Sequence, residues 1–234
     1  MNRMKVSTYS ETNQMSLTVL ASPIPATYLV GPAIAEFMIH FPKVRVNLLT
    51  TSWNSEVLAR GEYDLGVLDI SGLRNHSLLE CEELIKSPAK MCCHQDHPLL
   101  SLPQYTTADL NKYPLALPTN LPEYVHYELS RLLNRPLINN ICDAELYYES
   151  LLTIRHTLFH SETIAIAPHI AMTQSFNERL KALEPTDWPT IEADFGIVKS
   201  VKKETSEIMN AMMDALFNVA EKVRGEAIRQ VSSL

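Results

Sequence analysis

The sequence predicts an α/β protein of two Rossmann-like lobes joined by two crossing segments. Two successive sets of alternating strand and helix patterns, one before about residue 90 and one after it, supply the two lobes. The crossings follow from the carboxyl-terminal helix, which places Ile208, Met212, Leu216, Val219 and Val223 on one face. One helix cannot bury such a face alone, so it is expected to return to the first lobe. The organisation is then a tail or linker remnant at 1–15, lobe I at 16–90 and 196–234, and lobe II at 91–195. Segments near 89–94 and 193–198 form a hinge pair, with a ligand cleft between the lobes.

Residues 1–14 are polar and aperiodic, and folding starts at about Ser16. Leu17 to Ala21 is a first strand, followed by a loop from Ser22 to Thr27 stiffened by Pro23 and Pro25. A helix from about Leu29 to His40 carries Val30, Ala33, Ile34, Phe37, Met38 and Phe41 at the spacing of one buried face, and Pro42 ends it. Val44, Val46 and Leu48 then alternate with Arg45 and Asn47, the period of a half-buried strand. Thr50 to Ser55 supplies hydroxyls and an amide where a short helix begins, Gly61 can take the left-handed conformation that closes it, and Asp64 to Asp69 reads as the βαβ partner strand. Leu78 to Leu84 reads as an exposed or edge strand and Ala89 to His94 as a buried one.

The second set has a turn at Thr107 to Leu110 and a strand at Pro114 to Leu117. It continues with a helix at Glu123 to Leu133, a strand at Ile138 to Cys142, a helix at about Ala144 to Phe159 and a strand at Thr163 to Ala167. Phe195 to Lys199 is a further strand, and Ser206 is placed to cap the last helix.

With 46% hydrophobic residues the chain can bury a full core. Its net charge of -7 argues against a free-standing nucleic-acid binder, because phosphate contacts need a surplus of Lys and Arg. Four cysteines, two of them adjacent, form no disulfide framework, and the amino terminus carries no apolar run of signal-peptide length. The expected compartment is therefore the cytoplasm. No stretch approaches the roughly 20 apolar residues of a membrane helix, so no membrane partner is expected.

Several pieces resemble the effector-binding domain of LysR-type transcriptional regulators: Ala21-Ser22-Pro23 with Tyr28-Leu29, the block Phe41 to Asp69, His97-Pro98-Leu99, Ala108-Asp109-Leu110, Ile164 to Pro168, and Phe195 to Val198. Together they cover the chain from about Ser16 to Val219. The resemblance implies a type II periplasmic-binding-protein-like fold, a small and anionic effector, and a homodimer or tetramer paired through the flanks of both lobes. Ser161-Glu162-Thr163 stands where many members have Gly-x-Gly, and looks more like the LeuO and NodD branch. The family's winged helix-turn-helix is absent from these 234 residues, so contact with DNA is expected only through a domain outside this chain. A stand-alone solute-binding protein of the same fold is the alternative.

Thr50, Thr51 and Ser52 exceed what one helix cap needs, and Thr51 falls on the hydroxyl position that family members use for effector carboxylates. Ser22 and Thr27 flank the first loop, whose prolines remove anion-binding amides. The resemblance makes Thr119 and Asn120 the contribution of lobe II, with Asp143 and Ser161 as weaker candidates and Arg155 as a cation that could reach the cleft. Cys92 and Cys93 point to opposite faces of a strand and cannot easily share one ion, and His97 is accounted for by its turn. No catalytic motif, metal site or cofactor is expected.

Overall fold

The computed structural model describes residues 15–50, 58, 60–172 and 179–231. Its main sheet runs in the order β2-β1-β3-β11-β4-β9-β5-β8, with β10 added to β4. In chain order the strands are β1 (Ser16–Ala21), β2 (Arg45–Thr50), β3 (Leu65–Asp69), β4 (Leu79–His94), β5 (Leu115–Pro118), β8 (Leu146–Tyr148), β9 (Ile164–Pro168), β10 (Leu180–Leu183) and β11 (Glu192–Ser200). Strands β6 (Leu137–Ile138) and β7 (Ile141–Cys142) make a separate hairpin. The helices are α1 (residues 23–40), α2 (Thr107–Leu110), α3 (Glu123–Leu132), α4 (Leu151–His160) and α5 (Glu207–Val231).

Strands β1, β2 and β3 are parallel, as are β5, β8 and β9. The long antiparallel pair β4 and β11 runs between the two parallel groups. β4 pairs with β11 up to Pro88 and with β9 from Ala89 onward. Proline has no N–H to give a ladder, so a change of partner at that residue costs little. The sequence suggests two strands here, and the structure has one of 16 residues. Its first half is an edge of the lobe I sheet, where the Arg224 guanidinium caps the Leu84 carbonyl at 2.8 Å.

The β2 and β3 strands are not neighbours as expected, because β1 lies between them. The loop expected at Ser22 to Thr27 is the first part of α1. Pro23 and Pro25 fit there because the first N–H groups of a helix have no partner inside it. Over Ala26–Val30 the helix widens into a π turn, with the Gly31 N–H reaching the Ala26 carbonyl. Pro32 accounts for the widening: it cannot donate to the carbonyl four residues back, and its ring crowds that carbonyl. Of the apolar face expected on α1, Ala33 and Phe37 are buried, whereas Met38 is 48% exposed.

In lobe II the expected strand Ile138 to Cys142 is the β6–β7 hairpin, turned by Asn139 and Asn140 at φ 51 and 65. That is the geometry of a type I′ turn, which Asn tolerates. The helix expected from Ala144 starts instead as β8, held by its pairing with β5 and by the Tyr148 hydroxyl donating to the Ile166 carbonyl at 2.6 Å. Strand β10, with four residues, is too short to show a periodicity of its own.

Local signals worked where the chemistry is local. Gly61 has φ +70, and its N–H bonds the Leu58 carbonyl. The Ser206 hydroxyl accepts the Met209 N–H at 3.3 Å at the start of α5. Met209, Met212, Leu216, Val219 and Val223 are buried, and α5 lies against α1 and β4. Phe37, Leu17, Leu65, Ile197 and Leu216 share one core with Cys92 and Ala116, so a single apolar cluster runs from one end of the sheet into the other. Among the described residues no helix is long and apolar enough to cross a membrane.

Candidate functional site

Parallel strands gather their carboxyl ends on one side, and the loops that leave those ends form the ligand sites of α/β proteins. Here β1 ends just before Ser22 and β3 at Asp69, while β5 ends before Asn120 and β9 at Pro168. These ends meet in a cleft of about 480 Å³ whose lining includes Ser22, Asp69, Ser71, Asn120, Pro122 and Tyr124. Beneath it a recess of about 90 Å³ is lined by Ser22, Pro25, Asp69, Pro118, Asn120, Pro168 and Phe195. A third recess adds Val125, Ile166 and Glu192. The main cavity falls within the size range of small-ligand pockets.

Among the described residues Asp69 and Pro122 alone line all three. Its Oδ1 accepts the Ser71 N–H at 2.9 Å and the Ser71 hydroxyl at 2.6 Å, and its Oδ2 accepts the Asp194 N–H at 3.3 Å. Tyr124, in the first turn of α3, faces it from the other side of the cleft. Burial raises the Tyr124 pKa and the Asp69 charge raises it further, against a side-chain hydrogen bond with Ser71. The phenol is therefore a neutral donor at ordinary pH. Ser22 caps α1 by position only: its side chain makes no cap hydrogen bond, while its N–H bonds the Val67 carbonyl at 3.1 Å.

Of the residues expected from the sequence, Ser22 and Asn120 line the cleft. Thr51 and Ser52 lie outside the described residues. Thr50 ends the exposed strand β2, paired with Ala21, and is not among the lining residues. The Thr27 hydroxyl is spent inside α1, donating to the Pro23 carbonyl at 2.9 Å. Thr119 is exposed, and its N–H holds the Tyr148 carbonyl at 2.8 Å. The Ser161 hydroxyl bonds the Thr157 carbonyl at 2.8 Å and Thr163 Oγ1 at 2.7 Å. It sits at the amino end of β9, whereas the cleft is at the carboxyl end. Arg155 lies 6.0 Å from the Phe159 ring on α4, and Asp143 accepts from Arg135 through its carbonyl.

Asp69, Ser71 and Tyr124 went unnoticed in the sequence. The signal for Asp69 was available, since it ends a strand parallel to the first, and the rule that drew attention to Thr50 applies equally to it. Cys92 and Cys93 are both fully buried, in different cores, and burial pushes both thiols up to about 12. His97 closes its turn, with Nδ1 accepting the Leu99 N–H at 3.2 Å and Nε2 3.1 Å from the Glu162 carbonyl.

Residues 10–221 match the model of the LysR substrate binding domain. The chain belongs to that family. Its fold is accordingly the type II periplasmic-binding-protein-like α/β fold, and LysR substrate binding domains are parts of transcription regulators, not enzymes. Among curated proteins the chain is 30% identical over 171 residues to the SDS degradation transcriptional activation protein of a Pseudomonas species, covering 71% of this chain and 54% of that protein. It is 32% identical over 114 residues to the regulator CysB of Burkholderia cenocepacia, covering 46% of this chain and 34% of CysB. The chain thus spans about half the length, or less, of these relatives. Among solved structures, the cofactor-binding domain of the Cbl regulator superposes with TM-score 0.70 at 16% identity, covering 91% of this chain and 92% of that one. The Synechocystis CcmR regulatory domain, solved in complex with 2-PG, gives TM-score 0.68 at 16% identity, covering 88% and 98%.

Proposed function

We propose that this chain is the sensor part of a LysR-type transcriptional regulator, binding a small effector in the cleft between Ser22 and Asp69 on one side and Asn120 and Tyr124 on the other. The observation that carries this reading is the cavity itself, which is lined from both parallel strand groups, with recesses that reach the crossing strands at Ala89, Glu192 and Ala193. Closure about β4 and β11 would then report occupancy to a DNA-binding domain elsewhere in the full regulator. The lobe limits 16–90 with 196–234, and 91–195, belong to this reading, supported by the exchange of β4 partners between Pro88 and Ala89. An anionic group on the effector would be held by neutral donors, namely the hydroxyls of Ser22 and Tyr124 and the Asn120 amide.

Pairing of two chains is part of the proposal. Met38 and Ile39 on α1 and Leu48 and Leu49 on β2 are exposed, as is Tyr127 on α3. A face of lobe I set against α3 of a second copy would cover both groups with the closed symmetry that paired half-sites demand. Sedimentation at tens of micromolar tests it, and a strict monomer would remove it.

The effector reading is tested by screening metabolites for a rise in unfolding temperature of this chain, then repeating the hits on Asn120→Ala and Tyr124→Ala. A ligand at about 100 times its Kd stabilises by about 2.7 kcal/mol, and both variants are expected to lose most of that. Hits indifferent to both variants would place the site elsewhere. A gel shift with the chain alone is expected to show no sequence-selective binding to duplex DNA.

A further inference from the structure

The polarity of the cleft narrows the class of effector. No Lys, Arg or His is among the described residues lining any of its three cavities, whereas Asp69 lines all of them and Glu192 lines one. The nearby cation, Arg74, is turned away, bound to Asp194 and Glu83. A carboxylate offers about four acceptor positions. Three on Asp69 are taken, by the Ser71 N–H, the Ser71 hydroxyl and the Asp194 N–H. None of these donors is charged, so the negative charge of Asp69 has no paired counter-charge among the described residues, in a half-enclosed space where such a charge attracts cations more strongly than in bulk water. The second carboxylate behind it, Asp194, has its charge met by Arg74, so Asp69 is the carboxylate that sets the sign of this wall.

A purely anionic metabolite would meet only repulsion from this wall. A molecule with an ammonium beside its carboxylate would not: the ammonium fits Asp69, and the carboxylate fits the neutral donors of Ser22, Asn120 and Tyr124. We propose that the effector is an amine-bearing small molecule, an α-amino acid or a close zwitterionic relative, with its ammonium against Asp69. This rests on the cleft reading above and adds to it the chemical class.

The test uses wild-type chain and two matched probe sets, the common L-amino acids and the same carbon skeletons lacking the amine, compared by thermal shift and then calorimetry. At least one amino acid is expected to bind, and its desamino partner to bind weaker by about tenfold or more, the loss of one charge-assisted contact. Asp69→Asn is expected to weaken the amino acid by a similar factor without weakening the desamino partner. Because an amide at 69 would set an N–H group against that of Asp194, its folding is checked by circular dichroism, and if it fails to fold the wild-type comparison decides alone. Equal or tighter binding of the desamino compounds, or no binding by any amino acid at millimolar concentration, would overturn the proposal. Desamino compounds that bind and are weakened by Tyr124→Ala would leave the cleft reading standing without the ammonium. Amino-acid binding indifferent to Asp69→Asn, Asn120→Ala and Tyr124→Ala would remove the cleft reading itself.

Discussion

The Arg74 guanidinium grips the Asp194 carboxylate with two N–H groups, Nε at 3.0 Å and Nη2 at 2.5 Å from the same Oδ2. Arg74 follows the Ser71 to Leu73 wall of the cleft, and Asp194 lies on β11 between the cleft-lining residues Ala193 and Phe195. The same guanidinium reaches Glu83 on β4 at 2.7 Å. One side chain therefore ties the cleft wall to both crossing strands. Arg74→Ala is expected to lower the urea midpoint, since it leaves the mostly buried Asp194 carboxylate without its cation. Arg74→Lys should recover only part of the loss, because a single ammonium cannot reproduce a planar fork. A Lys variant as stable as wild type would show that charge alone matters there.

Gly196 sits where the pairing of β11 with β4 shifts register. A Cβ at this position would stand 2.5 Å from both the Glu82 carbonyl oxygen and Ile70 Cδ1. Neither can retreat, one being backbone in a ladder and the other a fully buried side chain. Gly196→Ala is expected to cost about 2 kcal/mol or more in urea unfolding. Gly72→Ala, with nothing within 4 Å of the added atom, is the matched control and should be close to neutral.

Three histidines should make the fold acid-sensitive near neutrality. Burial lowers the pKa of His97, His126 and His169 below 6.5. His169 keeps both ring nitrogens buried without a partner among the described residues. Each therefore binds a proton more weakly when folded than when unfolded. Their neutral forms support the fold fully above the unfolded value of 6.5, and that support is lost as pH falls below it toward the lowered folded values. Urea midpoints from pH 7.5 to pH 5 should fall, and His126→Gln should flatten part of the decline. A midpoint flat across that range would contradict the burial argument.

The thiols should be inert until the chain opens. Burial pushes Cys92 and Cys93 to about 12 and Cys142 to about 11, and Cys81 is also raised. Because the thiolate is the reactive form, iodoacetamide at pH 8 should modify Cys92, Cys93 and Cys142 more slowly by about a hundredfold or more than in urea. Peptide mapping over time checks each site, and rapid native labelling of Cys92 would show that the crossing strand opens readily.

The candidate site was half legible. Ser22 and Asn120 line the cleft, each past an apolar run that reads as a strand, and it is the family resemblance that singles out Asn120. Asp69 was missed because an acidic residue ending a strand looks like ordinary punctuation until its neighbours are known. Tyr124 could not be found at all, since its partner Ser71 lies on a loop distant in sequence. Thr27 and Ser161 show the converse: a hydroxyl in a suggestive place is often consumed by a carbonyl one helical turn away.

Features set by a residue and its near neighbours could be read directly: the left-handed Gly61, the capping Ser206, the apolar face of α5 and the stop at Pro42; the alternation at Val44 to Leu48 gave a strand but not its burial, since Leu48 is 38% exposed. Each depends on backbone sterics or on the period of one element, and such causes act over a few residues. Pairing was another matter. That β1 lies between β2 and β3, that β4 runs unbroken past Pro88, that residues 146–148 join β5 as a strand, and that Asp69 faces Asn120 and Tyr124 all depend on which ladders form between distant segments. Their energies come from register and shared burial across the whole sheet, and no single stretch of chain carries that information.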